Sequence, residues 1–280
     1  MTKHLQYGLW VSNLLRKMGI DRRKLFFKPI HKSLGGNLSL IVCGGAPLRP
    51  DIVKGFEDFG IEVFNGYGIT ECAPLISSNC TLKNVYGSVG TVIPDNLVRI
   101  ADTDEDGIGE IQVQGDNVMM GYYKDPVATR KSFTTDGWFK TGDLGYMDKK
   151  GSLYITGREK NLIILANGKN VHPEELEDYI LENLAYVKEV VVFAPISDDG
   201  HELMIMADTY VEDEFLKTHG VEEVKRLLQE DIAKLNRRLS GYKRIQEVAL
   251  RECEFEKTST KKIKRHVVER EVLEHAKHYY

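Results

Sequence analysis

An aspartate at 143 and an arginine at 158 bracket the stretch TGDLGYMDKKGSLYITGREK (141–160), and their chemistry suits a ribose. A carboxylate can accept hydrogen bonds from two vicinal hydroxyls, and a guanidinium adds directed donors beside it. The intervening residues read as one β-hairpin. DKKG at 148–151 is a turn signal, with Gly151 suited to positive φ, and LYIT at 153–156 is the returning strand. Such a hairpin brings Asp143 and Arg158 towards the same end. Taken alone, the two also read as a surface ion pair across a hairpin.

Three further segments carry chemical potential. In NGYGITE (65–71), Gly66 and Gly68 let the backbone pass close to a flat ligand, and Tyr67 offers an aromatic face for a purine. Thr70 supplies a hydroxyl, and Glu71 a hard oxygen ligand suited to Mg²⁺ carrying phosphate. The same residues also read as a Gly-rich turn with a structural tyrosine. NGK at 167–169 is a turn by its own chemistry. KTSTKKIKR at 257–265 is dense in positive charge and reads as a basic surface tail. A nucleic-acid patch is the weaker reading, because interleaved aromatics are missing and the whole chain carries a net charge of −4.

Positioning these groups requires ordinary globular layers. The 280 residues, 42% apolar and 29% charged, are enough for two domains and give no global drive towards nucleic acid or anionic lipid. Cys43, Cys72, Cys80 and Cys253 show no CxxC spacing; Cys72 and Cys80 could approach each other, but reduced thiols are expected. No apolar run is long enough to span a membrane, no leader pattern opens the chain, and no internal repeat is found.

Residues 1–33 read as basic and helical, with Leu5, Leu9, Val11, Leu14 and Leu15 on a loose apolar face. LSLIVC (38–43) reads as a buried strand. A helix then opens at Pro50 and Asp51 with Ile52, Val53, Phe56 and Phe59 inward, and EVFNGYG (62–68) is the next strand. Residues 83–160 carry short strand signals with Gly and Asp turns, as in a small barrel or curled sheet. Beyond 160, Pro173 opens a helix. VKEVVVFAPI and ELMIMADTYV are strands joined by the turn SDDG (197–200). A second helix runs from about Val221 to Leu239 with Gly241 as its stop, and IQEVALREC (245–253) is a last strand. The expected fold class is therefore α/β and α+β. A partial α/β layer (1–82) and a small β-barrel-like subdomain (83–160) precede a compact α+β domain (161–280).

Taken in order, IVCGGAPL (41–48), NGYGITE (65–71), DGWFKTGD (136–143), GREK (157–160), NGKNVHPEELE (167–177) and KTSTKKIKR (257–265) resemble the acyl-adenylate-forming, AMP-binding enzymes. The likeness is greatest to long-chain fatty acyl-CoA synthetases and covers nearly the whole chain from about Leu34. The resemblance implies that 1–160 is the back part of a large AMP-binding domain and 161–280 the small C-terminal domain. It places Gly45, Ala46 and Pro47 beside adenine, with Asn65, Gly66, Tyr67 and Gly68 lining the nucleotide. Tyr67 lies against the base, Thr70 contacts the α-phosphate and Glu71 holds Mg²⁺. Asp143 and Arg158 take the ribose, Ile155 lies on its adenine or ribose side, and Lys160 is the interdomain hinge. Gly168 lines the pantetheine tunnel, where Lys169 could meet a CoA phosphate. Lys262 is the catalytic lysine, its ammonium bridging the incoming carboxylate and the α-phosphate. Here the chain departs from the common pattern: Glu256 stands where Pro is usual and Lys261 where Gly is usual. The assignment to Lys262 rather than Lys261 therefore stays open.

The resemblance also implies a Ser/Thr/Gly-rich loop for the β- and γ-phosphates. SLGGNLS (33–39) and CGGAPL (43–48) are the early Gly pairs, and neither has that composition. The expectation is a cytoplasmic long-chain fatty acid–CoA ligase read from its back portion. Fatty acid, ATP and CoA would be its substrates, with Mg²⁺ and AMP at the site. The missing front portion would be a partner, and the chain alone would be largely inactive. An exposed front edge of the sheet would be open to self-association, and peripheral membrane contact is compatible with the sequence. The alternatives are another adenylate-forming enzyme, such as an aryl-CoA ligase or a carrier-protein-loading adenylation domain, and a non-catalytic nucleotide-binding module.

Overall fold

In the computed structural model, which describes residues 3–46, 48–195, 204–259 and 261–276, the chain divides into two units, 1–155 and 156–280. The first opens with helices α1 (Lys3–Lys17), α2 (Arg23–Phe26) and α3 (Lys28–Ser33). Then come β1 (Leu40–Gly44), α4 (Pro50–Asp58) and β2 (Glu62–Gly68). Pro50 at the first helical position and Asp51 in the first turn start α4, and Val53 anchors it in the core. β1 and β2 pair in parallel, Leu40 opposite Glu62 through Gly44 opposite Gly66. β3 (Leu75–Ser78) and β4 (Thr91–Val92) continue this sheet antiparallel, in the order β1-β2-β3-β4.

A second sheet holds β5 (Asn96–Ala101), β6 (Gly109–Gly115), β7 (Phe139–Met147) and β8 (Leu153–Arg158), with α5 (Pro126–Lys131) between β6 and β7. The expected DKKG turn joins β7 to β8. Asp148 Oδ1 accepts the N–H groups of Lys150 and Ser152, each at 2.8 Å, and Gly151 takes φ +78°. The sheet stays open, and no sheet among the described residues closes into the expected barrel. Gly90 fastens β8 to the first sheet: its carbonyl accepts Leu153 N–H at 2.8 Å. Gly90 sits at φ +82°, and a Cβ there would lie 1.8 Å from the carbonyl carbon of Ser78. Around this crossing Ser77 Oγ donates to the Val89 carbonyl at 2.9 Å, and the Asn79 side chain donates to the Ser88 carbonyl at 3.0 Å and accepts Val85 N–H at 2.9 Å.

The second unit contains the short pair β9 (Ile163–Ile164) and β10 (Asn170–Val171), then α6 (Pro173–Asn183), β11 (Val187–Phe193), β12 (Met206–Val211), α7 (Asp213–His219), α8 (Val221–Asn236), β13 (Glu247–Leu250) and α9 (Arg265–Ala276). β11 and β12 are antiparallel, and β12 and β13 parallel. Val224, Leu228, Ile232 and Leu235 share one face of α8 and are buried against α6 and the sheet. Each such side chain contributes about 1.5–3 kcal/mol of burial. The SDDG turn lies outside the described residues. No described helix is long and apolar enough to cross a membrane.

Four expectations are corrected. β1 is an edge strand rather than a buried one: Val42 is 64% exposed, and Leu40 is exposed with it. Ile52 points outward on α4, because Val53, one residue on, takes the core position. On α1, Leu14 is exposed and continues a stripe of exposed Tyr7 and Trp10. α8 ends at Asn236, whose side chain bonds Ile245 N–H and carbonyl and so turns the chain before Gly241. The four cysteines are free thiols, and burial pushes that of Cys72 up to about 11.

Two carboxyls are buried with partners in the second unit. Burial pushes Glu177 up to about 7 although Arg265 and Val192 N–H pull it back. Burial likewise pushes Asp208 up to about 6; Arg251 opposes this and Glu271 adds to it.

The Gly90 crossing and the two buried carboxyls each have a measurable consequence. Replacing Gly90 by Ala combines a clash with backbone and a strained φ, and should cost about 3 kcal/mol or more. Urea unfolding read from first-unit amides checks this, and an unchanged midpoint contradicts it. For Glu177 and Asp208, folding raises the pKa, so the folded chain binds protons that the unfolded chain releases. Their contribution is therefore greatest below the ordinary carboxyl range and is lost as pH rises through about 6 and about 7. The urea midpoint of the second unit should be higher at pH ~5.5 than at pH ~7.5, and Glu177→Gln should narrow that gap. An equal gap in both proteins refutes it.

Candidate functional site

Asp143 lies in β7 and is 4% exposed. Tyr67, in β2 of the other sheet, donates its phenolic hydroxyl to Asp143 Oδ2 at 2.6 Å. Thr141 locks the approach: its Oγ1 donates to the Ile111 carbonyl at 2.7 Å and accepts Asp143 N–H at 3.1 Å. Between them, Gly142 takes φ +67° and gives its N–H to Glu110 Oε1 at 3.3 Å. Gln112 Nε2 donates to the other Glu110 oxygen at 2.9 Å, which fixes that carboxylate in turn. The TGD segment is thus set by local strand geometry and by three residues distant in sequence, Tyr67, Glu110 and Ile111.

Tyr67 itself is 8% exposed, its ring packed among Cys72, Ile76, Val89 and Ile111, so little of its aromatic face is open. The glycines beside it serve the chain's own backbone. A Cβ on Gly68 would fall 2.0 Å from the Pro74 carbonyl oxygen, where the β2–β3 register slips. One on Gly66 would meet the Ser77 carbonyl oxygen at 3.3 Å. Asn65 is buried; its carbonyl accepts Asn79 N–H at 2.9 Å.

Thr70 and Glu71 form a single 3-10 turn, Thr70–Cys72, ended by Ala73 at φ 51°. Thr70 is exposed and Glu71 half-buried. Asn117 Nδ2 pins the turn through the Cys72 carbonyl at 2.7 Å, and Met119 N–H bonds the Glu71 carbonyl at 2.8 Å. Tyr122 Oη donates to Glu71 Oε1 at 3.0 Å, and burial together with that carboxylate raises the Tyr122 phenol. Among the described residues no group of three or more His, Cys, Asp or Glu gathers to hold a metal ion. Glu71 fits a cation only as one oxygen ligand among others that a substrate brings, which is how Mg²⁺ sits on phosphates. Gly45 (φ +82°) and Ala46 follow β1 and are exposed, while Pro47 lies outside the described residues. Ile155, the last residue of the first unit, packs against the core around Tyr67.

The second unit carries the remaining candidates. Arg158 ends β8, and Lys160 lies in the 3-10 turn Glu159–Asn161; both are exposed. Gly168 takes φ +77° in a turn closed by its N–H on the Leu165 carbonyl at 2.7 Å. Open space surrounds its Cβ position, so backbone angle rather than crowding within the chain demands glycine there. Lys169 Nζ lies 4.9 Å over the Tyr242 ring.

The described residues of KTSTKKIKR, 257–259 and 261–265, pair as the two arms of a hairpin. Lys257 pairs with Ile263, Thr258 N–H bonds the Lys262 carbonyl at 2.8 Å, and Lys262 N–H reaches Thr258 Oγ1 at 3.2 Å. Lys261 sits at φ +65°, the left-handed region that favours glycine, and Lys262 returns to the paired arm. This gives a physical account of a position where the sequence pattern leads one to expect Gly. Both lysines are exposed.

Tyr122, Glu110 and Arg265 were not singled out from the sequence. Arg265 closes the KTSTKKIKR segment, whereas Tyr122 and Glu110 lie outside every segment that carries the resemblance.

Comparison with known proteins gives a consistent result. Residues 10–123 match the family model described as AMP-binding enzyme, and residues 160–280 that of the AMP-binding enzyme C-terminal domain. The long-chain-fatty-acid–CoA ligase FadD15 of Mycobacterium bovis is 40% identical over 179 residues, covering 64% of this chain and 29% of the relative. The chloroplastic long-chain-fatty-acid–[acyl-carrier-protein] ligase AEE15 of Arabidopsis thaliana is 33% identical over 204 residues, covering 66% of this chain and 28% of the relative. Among solved structures, ATP-bound MatB from Rhodopseudomonas palustris superposes with a TM-score of 0.68 at 29% identity, over 82% of this chain and 45% of that one. The chain therefore spans about three-tenths of the length of these curated relatives. With a match in each of its two units, the chain belongs to the family of AMP-binding enzymes.

Proposed function

We propose that this chain supplies the ribose-binding carboxylate and the catalytic lysine of a long-chain fatty acid–CoA ligase. The observation that carries the reading is the Tyr67–Asp143 pair. A carboxylate held by a phenol at 2.6 Å is an acceptor of fixed direction, as recognition of vicinal hydroxyls requires. The likeness to FadD15 supports a fatty acid as the acid substrate.

In this reading Asp143 accepts the ribose hydroxyls and Arg158 adds donors, with Asn65–Gly68 and Gly45–Pro47 on the base side. Thr70 donates to the α-phosphate. Mg²⁺, when bound, neutralises phosphate charge, and Glu71 is the residue that would hold it, oriented by Tyr122. The Lys262 ammonium stabilises the negative charge that builds as the fatty carboxylate attacks the α-phosphorus and pyrophosphate leaves. Lys160 is the hinge at which the backbone turns for the second half-reaction, where CoA sulfur attacks the acyl carbonyl and AMP departs. Gly168 then lies on the pantetheine path. On this reading the early Gly pairs at 33–39 and 43–48 do not supply the polyphosphate loop, and the isolated chain should bind AMP through the ribose carboxylate but give no ATP–pyrophosphate exchange with palmitate.

A second reading, transfer to a carrier-protein thiol, is favoured by the likeness to the acyl-carrier-protein ligase. Acceptor competition in a complete protein, CoA against phosphopantetheinylated carrier protein, separates the two.

The ribose assignment is tested by calorimetry on this chain. AMP should bind at least about tenfold more tightly than 2′,3′-dideoxy-AMP, because each hydrogen bond to a charged acceptor is worth ~1.5–3 kcal/mol. Asp143→Asn should erase most of that preference, whereas equal binding of both nucleotides by the unmodified chain refutes the site. The lysine assignment is tested in an adenylation-competent protein containing this sequence. Lys262→Ala should slow acyl-adenylate formation by ~10²–10³-fold. If Lys261→Ala has that effect instead, the assignment moves by one residue.

A further inference from the structure

The hairpin bearing Lys262 needs a fixed base, and its last residue supplies one. Arg265 begins α9, three residues beyond Lys262. Its guanidinium donates to the Val192 carbonyl of β11 at 3.0 Å and, on its other nitrogen, to Glu177 of α6. The second Glu177 oxygen accepts Val192 N–H at 2.6 Å, so one carboxylate and the backbone of one residue hold the arginine. The Arg265 and Glu177 side chains are 19% and 13% exposed, burial at which a forked, hydrogen-bonded pair resists water better than a surface ion pair does.

The same guanidinium lies 3.7 Å from Glu174 Oε1. That oxygen also accepts Asn161 Nδ2 at 2.6 Å, and Asn161 is the residue after Lys160. Glu174 additionally presses on Gly157: a Cβ there would fall 2.5 Å from Oε2. Thus Glu174 touches the segment 157–161 and the arginine at once. Elsewhere the hairpin is held by Ile263 against the cluster of Val191, Phe193 and Phe255, and by Lys257 on Glu189. Neither of these contacts reaches α6.

We propose that Arg265 is a positioning residue for Lys262, and that through Glu177 and Glu174 it couples the lysine hairpin to the segment 157–161, so that the two move as one body. The functional part of this claim rests on the reading of Lys262 given above.

Hydrogen–deuterium exchange on the whole chain at pH ~8, where Glu177 is ionised, tests the anchor without turnover. Arg265→Gln should speed exchange at least about tenfold both in 257–263 and in 157–162, with β11 and β12 still protected. Arg265→Lys, which keeps the charge but loses the fork, should restore part of that protection. The milder Glu177→Gln, which retains an acceptor, should loosen both segments about threefold. Unchanged exchange in either segment, in variants whose β11 and β12 stay protected, overturns the proposal. In an adenylation-competent protein, Arg265→Gln should lower kcat for adenylate formation while KM for ATP stays within about twofold. A loosened hairpin with an unchanged rate would overturn the role of Lys262 and leave the anchor. Unchanged exchange alongside an inactive Lys262→Ala would overturn the anchor and leave Lys262.

Discussion

A buried carboxylate must be satisfied, and in the first unit that requirement ties two sheets together. Asp143 sits in the open antiparallel sheet, and its partner Tyr67 lies 76 residues away in the parallel–antiparallel sheet. A hydrogen bond of this kind to a carboxylate contributes ~1.5–3 kcal/mol, and losing it would strand a polar group at a cost of similar size. The placement of β2 against β7 therefore depends on it, as does the aim of the carboxylate. The Gly90 crossing acts in the same direction from the other side, joining Ser78, Asn79 and Leu153 where no side chain could fit.

Features set by neighbours along the chain are legible in the sequence. The DKKG turn reads correctly because Asp148 satisfies its own loop. The second helix is expected because its apolar residues recur at helical spacing, and in α8 Val224, Leu228, Ile232 and Leu235 are the ones buried. What failed depended on partners elsewhere in space. LSLIVC has the composition of a central strand, yet whether β1 is buried is decided by which strands flank it, and here one flank is open. Ile52 and Val53 are both apolar, and the side of α4 that is turned to the core carries Val53.

The glycines of NGYGITE show that packing within the chain can by itself require a residue that the sequence reading gives to a ligand. From the sequence, Gly66 and Gly68 make room for a ligand. In the structure Gly68 makes room for the Pro74 carbonyl, because a bulge brings β3 across it. Packing inside the chain is enough to require glycine, so the motif's glycines carry less information about the ligand than Asp143 does. Lys261 is the converse case. It occupies a left-handed position without being glycine, at a strain of order 1–2 kcal/mol, and the hydrogen bonds between Thr258 and Lys262 hold the turn in spite of it.

The two units also differ in how they hold charge, and this bears on the proposed chemistry. In the first, Glu71 is a half-buried carboxylate steadied by the Tyr122 phenol. Such a group has little affinity for Mg²⁺ by itself, since that ion sheds water reluctantly and is usually held jointly with phosphates. On the proposed reading, metal and nucleotide therefore reach the first unit together. In the second, Arg265, Glu177 and Glu174 share their charges within an enclosed network, while Lys262 stays exposed three residues away. On the same proposed reading, an ammonium with no carboxylate partner among the described residues keeps its charge available for a phosphate. The arginine beside it fulfils the opposite role, spending its charge on structure so that the lysine need not.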